Sequence, residues 1–223
     1  MPDEDIKPIK RDKEDTEKLY NKIGRLYNMI FERFERKHRL RGLEALNINK
    51  GDTVLEIGYG TGEAVLILAE KVGEEGKVYG VDISRQMHNI TIKKIKEAGM
   101  EERVELFCSD GVEFKYEECF FTKIFLSFTL ELFCSEEMEK ILGNCRAMLK
   151  TEGKIGIVSL SRRNNNVAVK FYEWLHKTFP VLLDCRPIYV DKSLKEANFE
   201  IVHEELLSLW GLPVAVVVGK KAL

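Results

Sequence analysis

The sequence has few of the residues that hold small extracellular domains or zinc domains together. Its cysteines number five, an odd count, and no two of them form a Cys-x-x-Cys pair: Cys108, Cys119, Cys134, Cys145 and Cys185. This pattern argues against a disulfide framework and against a zinc ribbon. We therefore expect reduced thiols, a cytoplasmic location and no metal site.

Long apolar runs and an excess of one charge are also missing. Residues 1–15 contain no apolar core of a signal peptide, and the apolar run near the C terminus is interrupted by Gly211 and Pro213. There are 35 Lys plus Arg and 37 Asp plus Glu, and the resulting net charge of -2 gives no general attraction to nucleic acid. We expect a soluble protein and no nucleic-acid partner.

The length of 223 residues fits one α/β domain with a small accessory layer. Residues 1–15 carry charges of both signs and two prolines, which predicts a flexible tail before a single domain over 16–223. From Thr16 to about Leu46, apolar residues at steps of three and four predict a helix: Leu19, Ile23, Leu26, Ile30 and Phe34. Its aromatic side chains are either ordinary core packing or the inner face of a flap over a ligand.

The stretch Val54 to Gly62, VLEIGYGTG, is the most informative part of the chain. An apolar run ends in three glycines and is followed by EAVLILAEK, whose apolar residues suit a helix packed on a sheet. Glycines at a strand-to-helix turn allow positive φ and let a ligand approach the main chain closely. The pattern predicts a site for a ligand that contains a nucleoside.

The glycine spacing separates two classes of ligand. A dinucleotide fingerprint places its third glycine where this chain has Glu63, and no Lys-Ser or Lys-Thr pair follows to form a P-loop. Glu56 would repel a pyrophosphate but attract a ligand with ammonium and sulfonium charges. S-adenosylmethionine therefore fits better than NAD. A nicotinamide-dependent oxidoreductase and a cofactor-binding module without catalysis remain as alternatives.

The motif hydrophobic-Glu-hydrophobic-Gly-x-Gly-x-Gly resembles the first motif of the class I S-adenosylmethionine-dependent methyltransferases. The resemblance implies a Rossmann-like α/β fold with a seven-stranded, mostly parallel sheet, an antiparallel last strand and helices on both faces. It also implies that S-adenosylmethionine, and the product S-adenosylhomocysteine, contact the loop residues Glu56, Gly58, Tyr59, Gly60, Thr61 and Gly62.

Two further strands are predicted to end in acids. KVYGVD ends in Asp82, which suits hydrogen bonding to two ribose hydroxyls, of NAD as well as of S-adenosylmethionine. Ile83 and Met87 follow where they can pack on an adenine ring. The third strand is predicted over VELFCSDG, Val104 to Gly111, and closes on Ser109, Asp110 and Gly111. The resemblance implies that Asp110 accepts a hydrogen bond from the adenine amine; a helix N-cap is the alternative on local sequence.

The fourth strand is predicted over Thr122 to Phe133, an almost wholly apolar run. The resemblance implies that its end meets the methyl group and the acceptor through Ser127, Phe128, Thr129 and Glu131, and of these we take Ser127 and Phe128 as cofactor contacts. The family usually has an Asp at the strand start, where this chain has Lys123. No Asn-Pro-Pro-Tyr or Pro-Cys follows, so a small-molecule acceptor is favoured over a nucleobase.

The segment LYNKIGRLYNMI resembles the ubiquinone/menaquinone-biosynthesis-type (UbiE-like) methyltransferases, in which it lies over the methionine part of the cofactor. The resemblance implies a flap over residues 16–47 with Tyr20 and Tyr27 at the site, although Asn28 stands where that family usually has Asp. The acceptor would be a quinone precursor, a phospholipid amine or a small metabolite. If a base is needed, His176 and His203 are of the required type.

Two other segments can belong to the site or to its surroundings. Arg33, Arg36, Lys37, Arg39 and Arg41 form a basic cluster, read as a solvated face or as a peripheral contact with an anionic membrane. Residues 162–191 are rich in aromatic side chains and are read as a cap that selects the acceptor or as a helix covering the sheet. Nothing in the sequence indicates the oligomeric state.

Overall fold

The computed structural model describes residues 35–163, 187–209 and 211–222. In this part of the chain, helix α1 covers residues 35–46. The remaining helices and strands follow in the order β1 (Thr53–Ile57), α2 (Glu63–Val72), β2 (Lys77–Asp82), α3 (Arg85–Ala98), β3 (Val104–Cys108), β4 (Phe121–Ser127), α4 (Ser135–Met148), β5 (Leu149–Leu160), α5 (Val190–Glu196), β6 (Phe199–Leu209) and β7 (Leu212–Lys221).

Most of the predicted flap lies outside the described residues, together with Tyr20, Tyr27 and the tail at residues 1–15. The predicted cap at residues 162–191 is described only at its two ends, 162–163 and 187–191. The flap and the cap therefore stay predictions.

The seven described strands form a sheet in the order β3-β2-β1-β4-β5-β7-β6. Strands β1 to β5 pair in parallel, whereas β7 runs antiparallel to both β5 and β6. This arrangement confirms the predicted mostly parallel sheet with an antiparallel last strand. The strand order reverses between β1 and β4, and ligands of such sheets bind outside the carboxyl ends of the strands at the reversal.

Apolar side chains fill both faces of the sheet because successive residues of a strand point to opposite sides. Leu55 and Ile124 belong to the core cluster that α4 covers, together with Ile141 of that helix. Val54 and Phe125, their neighbours in sequence, belong to the cluster under α1, α2 and α3. A parallel strand that is buried on both sides is apolar along its whole length, as the sequence pattern indicates.

The predicted fourth strand, Thr122 to Phe133, is too long. β4 ends at Ser127, Phe128 has a positive φ of 52°, and Leu130–Leu132 forms a 3-10 turn. Leu130 is fully buried, so the turn is as apolar as the strand before it and hydrophobicity alone does not reveal the boundary. The carboxyl end of β4, which faces the site, therefore lies at Ser127, six residues before the predicted end at Phe133.

The last two strands, β6 and β7, form a hairpin. β6 and β7 pair antiparallel over their length, with a register shift between Ile201 and His203. Within the described parts of the chain, no helix combines the length and the hydrophobicity needed to cross a membrane.

Candidate functional site

Three glycines with positive φ shape the loop between β1 and α2: Gly58 (76°), Gly60 (52°) and Gly62 (79°). A Cβ on Gly58 would lie 2.4 Å from Thr129 Oγ1, and one on Gly62 would lie 2.3 Å from Thr91 Cγ2. A Cβ on Gly60 would meet no atom within 4 Å. Gly58 and Gly62 thus allow close packing, whereas Gly60 is where a ligand can approach the main chain.

Asp82, the last residue of β2, holds this loop in place. Its Oδ2 accepts the main-chain N–H of Gly60 at 2.8 Å, and its Oδ1 accepts that of Ser84 at 2.8 Å. Burial raises the pKa of Asp82, and these two hydrogen bonds oppose the rise. A carboxylate can accept roughly four hydrogen bonds, so acceptor positions remain for the two predicted ribose hydroxyls.

Glu56, in β1, is a buried acid with an unsatisfied oxygen. It is 2% exposed, and its Oε2 has no hydrogen-bond partner. Burial raises the pKa of Glu56 to about 8; the Arg39 guanidinium lowers it, and the Asp82 and Glu63 carboxylates raise it further. Leaving a buried carboxyl unpartnered is costly, and a cationic ligand would remove that cost. The residue fits its predicted place beside an ammonium or sulfonium group.

Helix α1 is tied by ion pairs to the start of α2, next to the glycine loop. The Arg39 side chain is only 11% exposed; it pairs with Glu63 and, at 3.3 Å, with Glu35. Two other arginines of the predicted basic cluster are paired as well, Arg36 with Glu63 and Arg41 with Glu44 and Glu205. At Arg39 the interpretation as a solvated face is therefore wrong, because acids of the same chain neutralise a half-buried guanidinium.

The turn after β4 lies directly against the glycine loop, through Thr129 and Gly58. The N–H of Phe128 donates to Val158 O at 2.7 Å, and Thr129 Oγ1 donates to Ser127 O at 3.0 Å. These bonds hold Phe128 at a positive φ, which is uncommon for a residue other than glycine. Ser127 Oγ is buried and has no hydrogen-bond partner. The turn thus places an unsatisfied hydroxyl at the end of the central strand.

A second buried acid, Glu131, lies in the 3-10 turn that follows. It is 1% exposed, its Oε1 accepts the Leu160 N–H at 3.2 Å, and its Oε2 has no partner. Burial raises its pKa to about 8. The family resemblance predicts that Glu131 lies in the loop near the acceptor, but only the tertiary structure reveals the burial and the unsatisfied oxygen.

Tyr59 was predicted at the cofactor site, and its side chain is part of the core. It is 3% exposed, and its hydroxyl lies 2.8 Å from His88 Nδ1. Gly80 leaves room for the ring, since a Cβ there would lie 2.7 Å from Tyr59 Cδ1. Only the main chain of Tyr59 is left for a ligand. Thr61 and Met87 are buried as well, whereas Ile83 is half-buried at the start of the β2–α3 connection.

The loop after β3 continues the same edge of the sheet. Ser109 is exposed, and its N–H donates to Asp82 O at 3.0 Å. Asp110 Oδ1 accepts the Val112 N–H at 2.9 Å, so this carboxylate caps a turn, and no helix follows it directly. Gly111 lies against β1, where a Cβ would be 3.0 Å from Ile57 Cγ2. The predicted contact of Asp110 with an adenine amine stays a prediction.

Among the described residues this edge has no metal centre, and His203, one of the two histidines suggested as a base, lies elsewhere. No group of three His, Cys, Asp or Glu side chains there is arranged to hold a metal ion. His203 lies on β6, at the far edge of the sheet, with its Nε2 3.9 Å from Glu205 Oε2. His176 lies outside the described residues.

The predicted cofactor residues that the structure describes come together at the carboxyl ends of four adjacent strands, β3, β2, β1 and β4. This edge offers an open glycine main chain and the acids Glu56 and Asp82. Acidic side chains beside an open main chain suit a nucleoside that carries positive charge, and they would repel a pyrophosphate. S-adenosylmethionine fits these residues.

Comparison with known proteins agrees with this geometry. The ubiE/COQ5 methyltransferase family matches residues 9–186. The demethylmenaquinone methyltransferase of Lactobacillus johnsonii is 26% identical over 74% of this chain and 69% of its own length. For the first curated relatives, the matched share of their length ranges from 48% to 69%.

Solved structures show the same fold. A SAM-dependent methyltransferase from Aquifex aeolicus matches with a TM-score of 0.62 and 21% identity, over 82% of this chain and 89% of its own. The geranyl diphosphate C-methyltransferase of Streptomyces coelicolor matches with a TM-score of 0.71 and 10% identity, over 86% and 82%. The predicted fold, the predicted class of enzyme and S-adenosylmethionine as its cofactor are confirmed. The chain belongs to the ubiE/COQ5 methyltransferase family.

Proposed function

We propose that this protein transfers the methyl group of S-adenosylmethionine to a lipid-like quinone precursor in its reduced, quinol form. The observation that carries the proposal is the family match over residues 9–186, together with relatives named demethylmenaquinone methyltransferase. Among the acceptors that the sequence leaves open, these relatives favour the quinone precursor over a phospholipid amine or another metabolite.

The residues at the carboxyl edge have distinct parts in holding the cofactor. The open main chain at Gly60 and the acceptor positions of Asp82 would take the nucleoside, and Asp110 would take the adenine amine. Glu56 would face the positive charge, which favours the ionised form of its carboxyl. When bound, S-adenosylmethionine supplies a methyl group that the sulfonium has already activated.

The chain itself has mainly to orient the acceptor and exclude water. Orientation in a fixed geometry can supply several kcal/mol of a barrier, and a dry site strengthens each electrostatic contact. The buried turn after β4 provides rigid walls, because Phe128 and Thr129 are fixed by hydrogen bonds to β5 and to Ser127. Residues 16–47 and 162–191 would cover the site as flap and cap.

The two alternative functions, a nicotinamide-dependent oxidoreductase and a cofactor-binding module without catalysis, predict different results in one experiment. The protein is incubated with S-adenosylmethionine and a dithionite-reduced 2-prenyl-1,4-naphthoquinone, and the product is identified by mass spectrometry. A parallel titration with NADH tests for an oxidoreductase. We expect a product heavier by one methyl substitution and no binding of NADH; the Gly60→Val variant is the inactive control, because its side chain fills the open face of the loop.

A wild-type protein that binds S-adenosylmethionine but methylates no naphthoquinol would contradict the proposed acceptor. If it also methylates nothing in a cell extract with a labelled donor, it would be a cofactor-binding module without catalysis.

A further inference from the structure

We propose that Glu131 is the general base of this reaction and takes a proton from a hydroxyl group of the acceptor through its Oε2 atom. The inference rests on the proposed function. The ring carbon of a quinol becomes a stronger nucleophile when the neighbouring hydroxyl is ionised, so a base that takes the hydroxyl proton would speed the methyl transfer. Of the four turn residues expected near the acceptor, Glu131 alone is ionisable.

Glu131 lies beside the cofactor loop. It belongs to the turn Leu130–Leu132, which begins directly after Thr129 and is closed by the Leu132 N–H donating to Thr129 O at 3.1 Å. Thr129 packs against Gly58 so closely that a Cβ on that glycine would lie 2.4 Å from Thr129 Oγ1. Glu131 is therefore on the β4 side of the crevice, whereas Asp82 and the ribose position are on the β2 side.

One oxygen of the Glu131 carboxyl has a fixed position. Oε1 accepts the N–H of Leu160, the last residue of β5. Leu160 O accepts the Ile188 N–H at 3.0 Å, and Ile188 O accepts the Arg162 N–H at 3.1 Å. The two ends of the predicted cap are thus joined next to this anchor. Glu131 is therefore anchored where the two described ends of the predicted cap meet, on the β4 side of the glycine loop.

A purely structural role accounts for Oε1 but not for Oε2. Glutamine would accept the Leu160 N–H equally well and would bring no ionisable group into the interior. Leaving a buried carboxyl oxygen without a partner is costly, and the acceptor hydroxyl is the partner that would remove this cost. Ser127 Oγ, at the start of the same turn, is also buried and unpartnered and can donate to the acceptor oxygen.

The surroundings of Glu131 suit a base for a phenolic hydroxyl. Burial raises its pKa to about 8, and main-chain hydrogen bonds, including that from Leu160, lower it. The nearby Ser159 hydroxyl also favours the ionised form, but it donates to Leu160 O at 3.1 Å and leaves Oε2 without a partner. From α1, the Glu35 carboxylate raises the pKa further. A base near 8 matches a phenol of pKa about 10 far better than an ordinary glutamate of about 4.3 does.

The proton and electron balance of the step is simple. The acceptor O–H bond breaks, the proton forms a bond to Glu131 Oε2, and the electron pair stays on the acceptor oxygen. The ring carbon then bonds to the methyl carbon while the methyl–sulfur bond breaks and its electron pair stays on sulfur. The hydrogen of that ring carbon leaves to water as a proton, and Glu131 returns its own proton to the ring oxygen.

The test compares wild type, Glu131→Gln and Glu139→Gln, the last being an exposed acid on α4 that serves as the control. Each is assayed with S-adenosylmethionine and the reduced 2-prenyl-1,4-naphthoquinone across pH, and cofactor affinity is measured by calorimetry. Glu131→Gln should lower kcat by about 10²–10⁴-fold without weakening cofactor binding. Wild-type kcat should rise with pH and level off above about 8. The residual activity of Glu131→Gln should rise only toward about pH 10, where the acceptor ionises by itself.

A Glu131→Gln variant with wild-type kcat and pH profile overturns the proposal, and so does a loss that is confined to cofactor affinity. If the variant does not fold, or if wild type methylates no naphthoquinol, the wild-type complex with S-adenosylhomocysteine is titrated with 1-naphthol and with 1-methoxynaphthalene, which has no hydroxyl, at about pH 6 and at about pH 8.5, where a phenol is still neutral. Stronger binding of 1-naphthol that is found only at the higher pH, where the Glu131 carboxylate is ionised and accepts the hydroxyl, supports a base at this position. Equal binding of the two compounds, or a difference that does not change with pH, overturns it. Failure of the proposed acceptor is thus distinguished from failure of Glu131 as the base.

Discussion

Asp82 Oδ2 accepts the main-chain N–H of Gly60 at 2.8 Å, so the acid at the end of β2 fixes the loop that follows β1. The sequence predicts one task for Asp82, contact with the ribose. The structure adds a second, because the same carboxylate fixes the glycine whose open face a ligand can reach.

Asp82→Ala should weaken binding of S-adenosylmethionine by tenfold or more while the protein stays folded. Hydrogen bonds to a charged group contribute about 1.5–3 kcal/mol each, and the variant loses those to the ribose as well as the loop anchor. Asp82→Asn keeps one acceptor oxygen, so its affinity for S-adenosylmethionine should lie between those of wild type and Asp82→Ala. Calorimetry gives the affinities; an affinity equal to that of wild type in Asp82→Ala would remove this residue from the site.

Gly60→Ala and Gly51→Ala form a matched pair. Both glycines have positive φ and open space at the Cβ position, but Gly51 precedes β1 and lies at the opposite end of that strand. Each alanine should cost about 1–2 kcal/mol of stability from backbone strain. Only Gly60→Ala should also lose cofactor affinity. Denaturant unfolding and calorimetry measure the two effects, and an equal affinity in both variants would contradict a ligand at Gly60.

Tyr59→Phe should reduce stability and leave cofactor affinity unchanged. The Tyr59 hydroxyl bonds to His88 Nδ1 inside the core, and a lost buried hydrogen bond costs about 0.5–1.5 kcal/mol. Urea unfolding measures the loss. Weaker binding of S-adenosylmethionine in a variant of unchanged stability would instead return the Tyr59 side chain to the site.

Glu56→Gln should change how stability without the cofactor depends on pH. Burial raises the folded-state pKa of Glu56 to about 8, from an unfolded value near 4.5. Between these values the folded state binds more protons than the unfolded state, so this group makes stability fall as pH rises from about 4.5 to about 8.

The expected slope from one such proton is about -1.4 kcal/mol per pH unit within that window. The stability difference between Glu56→Gln and wild type should therefore grow in favour of the variant as pH rises. Unfolding free energies at several pH values, measured without the cofactor, provide the check. Parallel curves for the two proteins would mean that Glu56 is already ionised when folded.

Substitutions of Tyr27, together with hydrogen exchange, test the flap that the sequence predicts over residues 16–47. If residues 16–47 close over the cofactor, S-adenosylhomocysteine should slow hydrogen exchange across Leu19 to Phe34. Tyr27→Phe should weaken binding modestly through its lost hydroxyl, and Tyr27→Ala should also slow turnover because the site stays wet. Equal exchange with and without ligand, together with a harmless Tyr27→Ala, would leave only core packing for this helix.

The sequence by itself determined the sheet and the place of the site. Strands that alternate with helices predict a parallel sheet, and such strands are brought side by side with their carboxyl ends at one edge. The positions of Gly60, Asp82 and Asp110 follow from that rule, because Asp82 ends a strand and the other two lie within about three residues after one. The spacing of Gly58, Gly60 and Gly62 is likewise local information, since it reflects backbone conformation within five residues.

Only the tertiary structure decided what surrounds each side chain. Tyr59 lies in the core because Gly80, distant in sequence, leaves room for its ring. Arg39 on α1 is half-buried where it forms an ion pair with Glu63 on α2. The unsatisfied oxygens of Glu56 and Glu131 exist because packing removes water without supplying a partner. Burial and pairing depend on residues distant in sequence, so no local pattern predicts them.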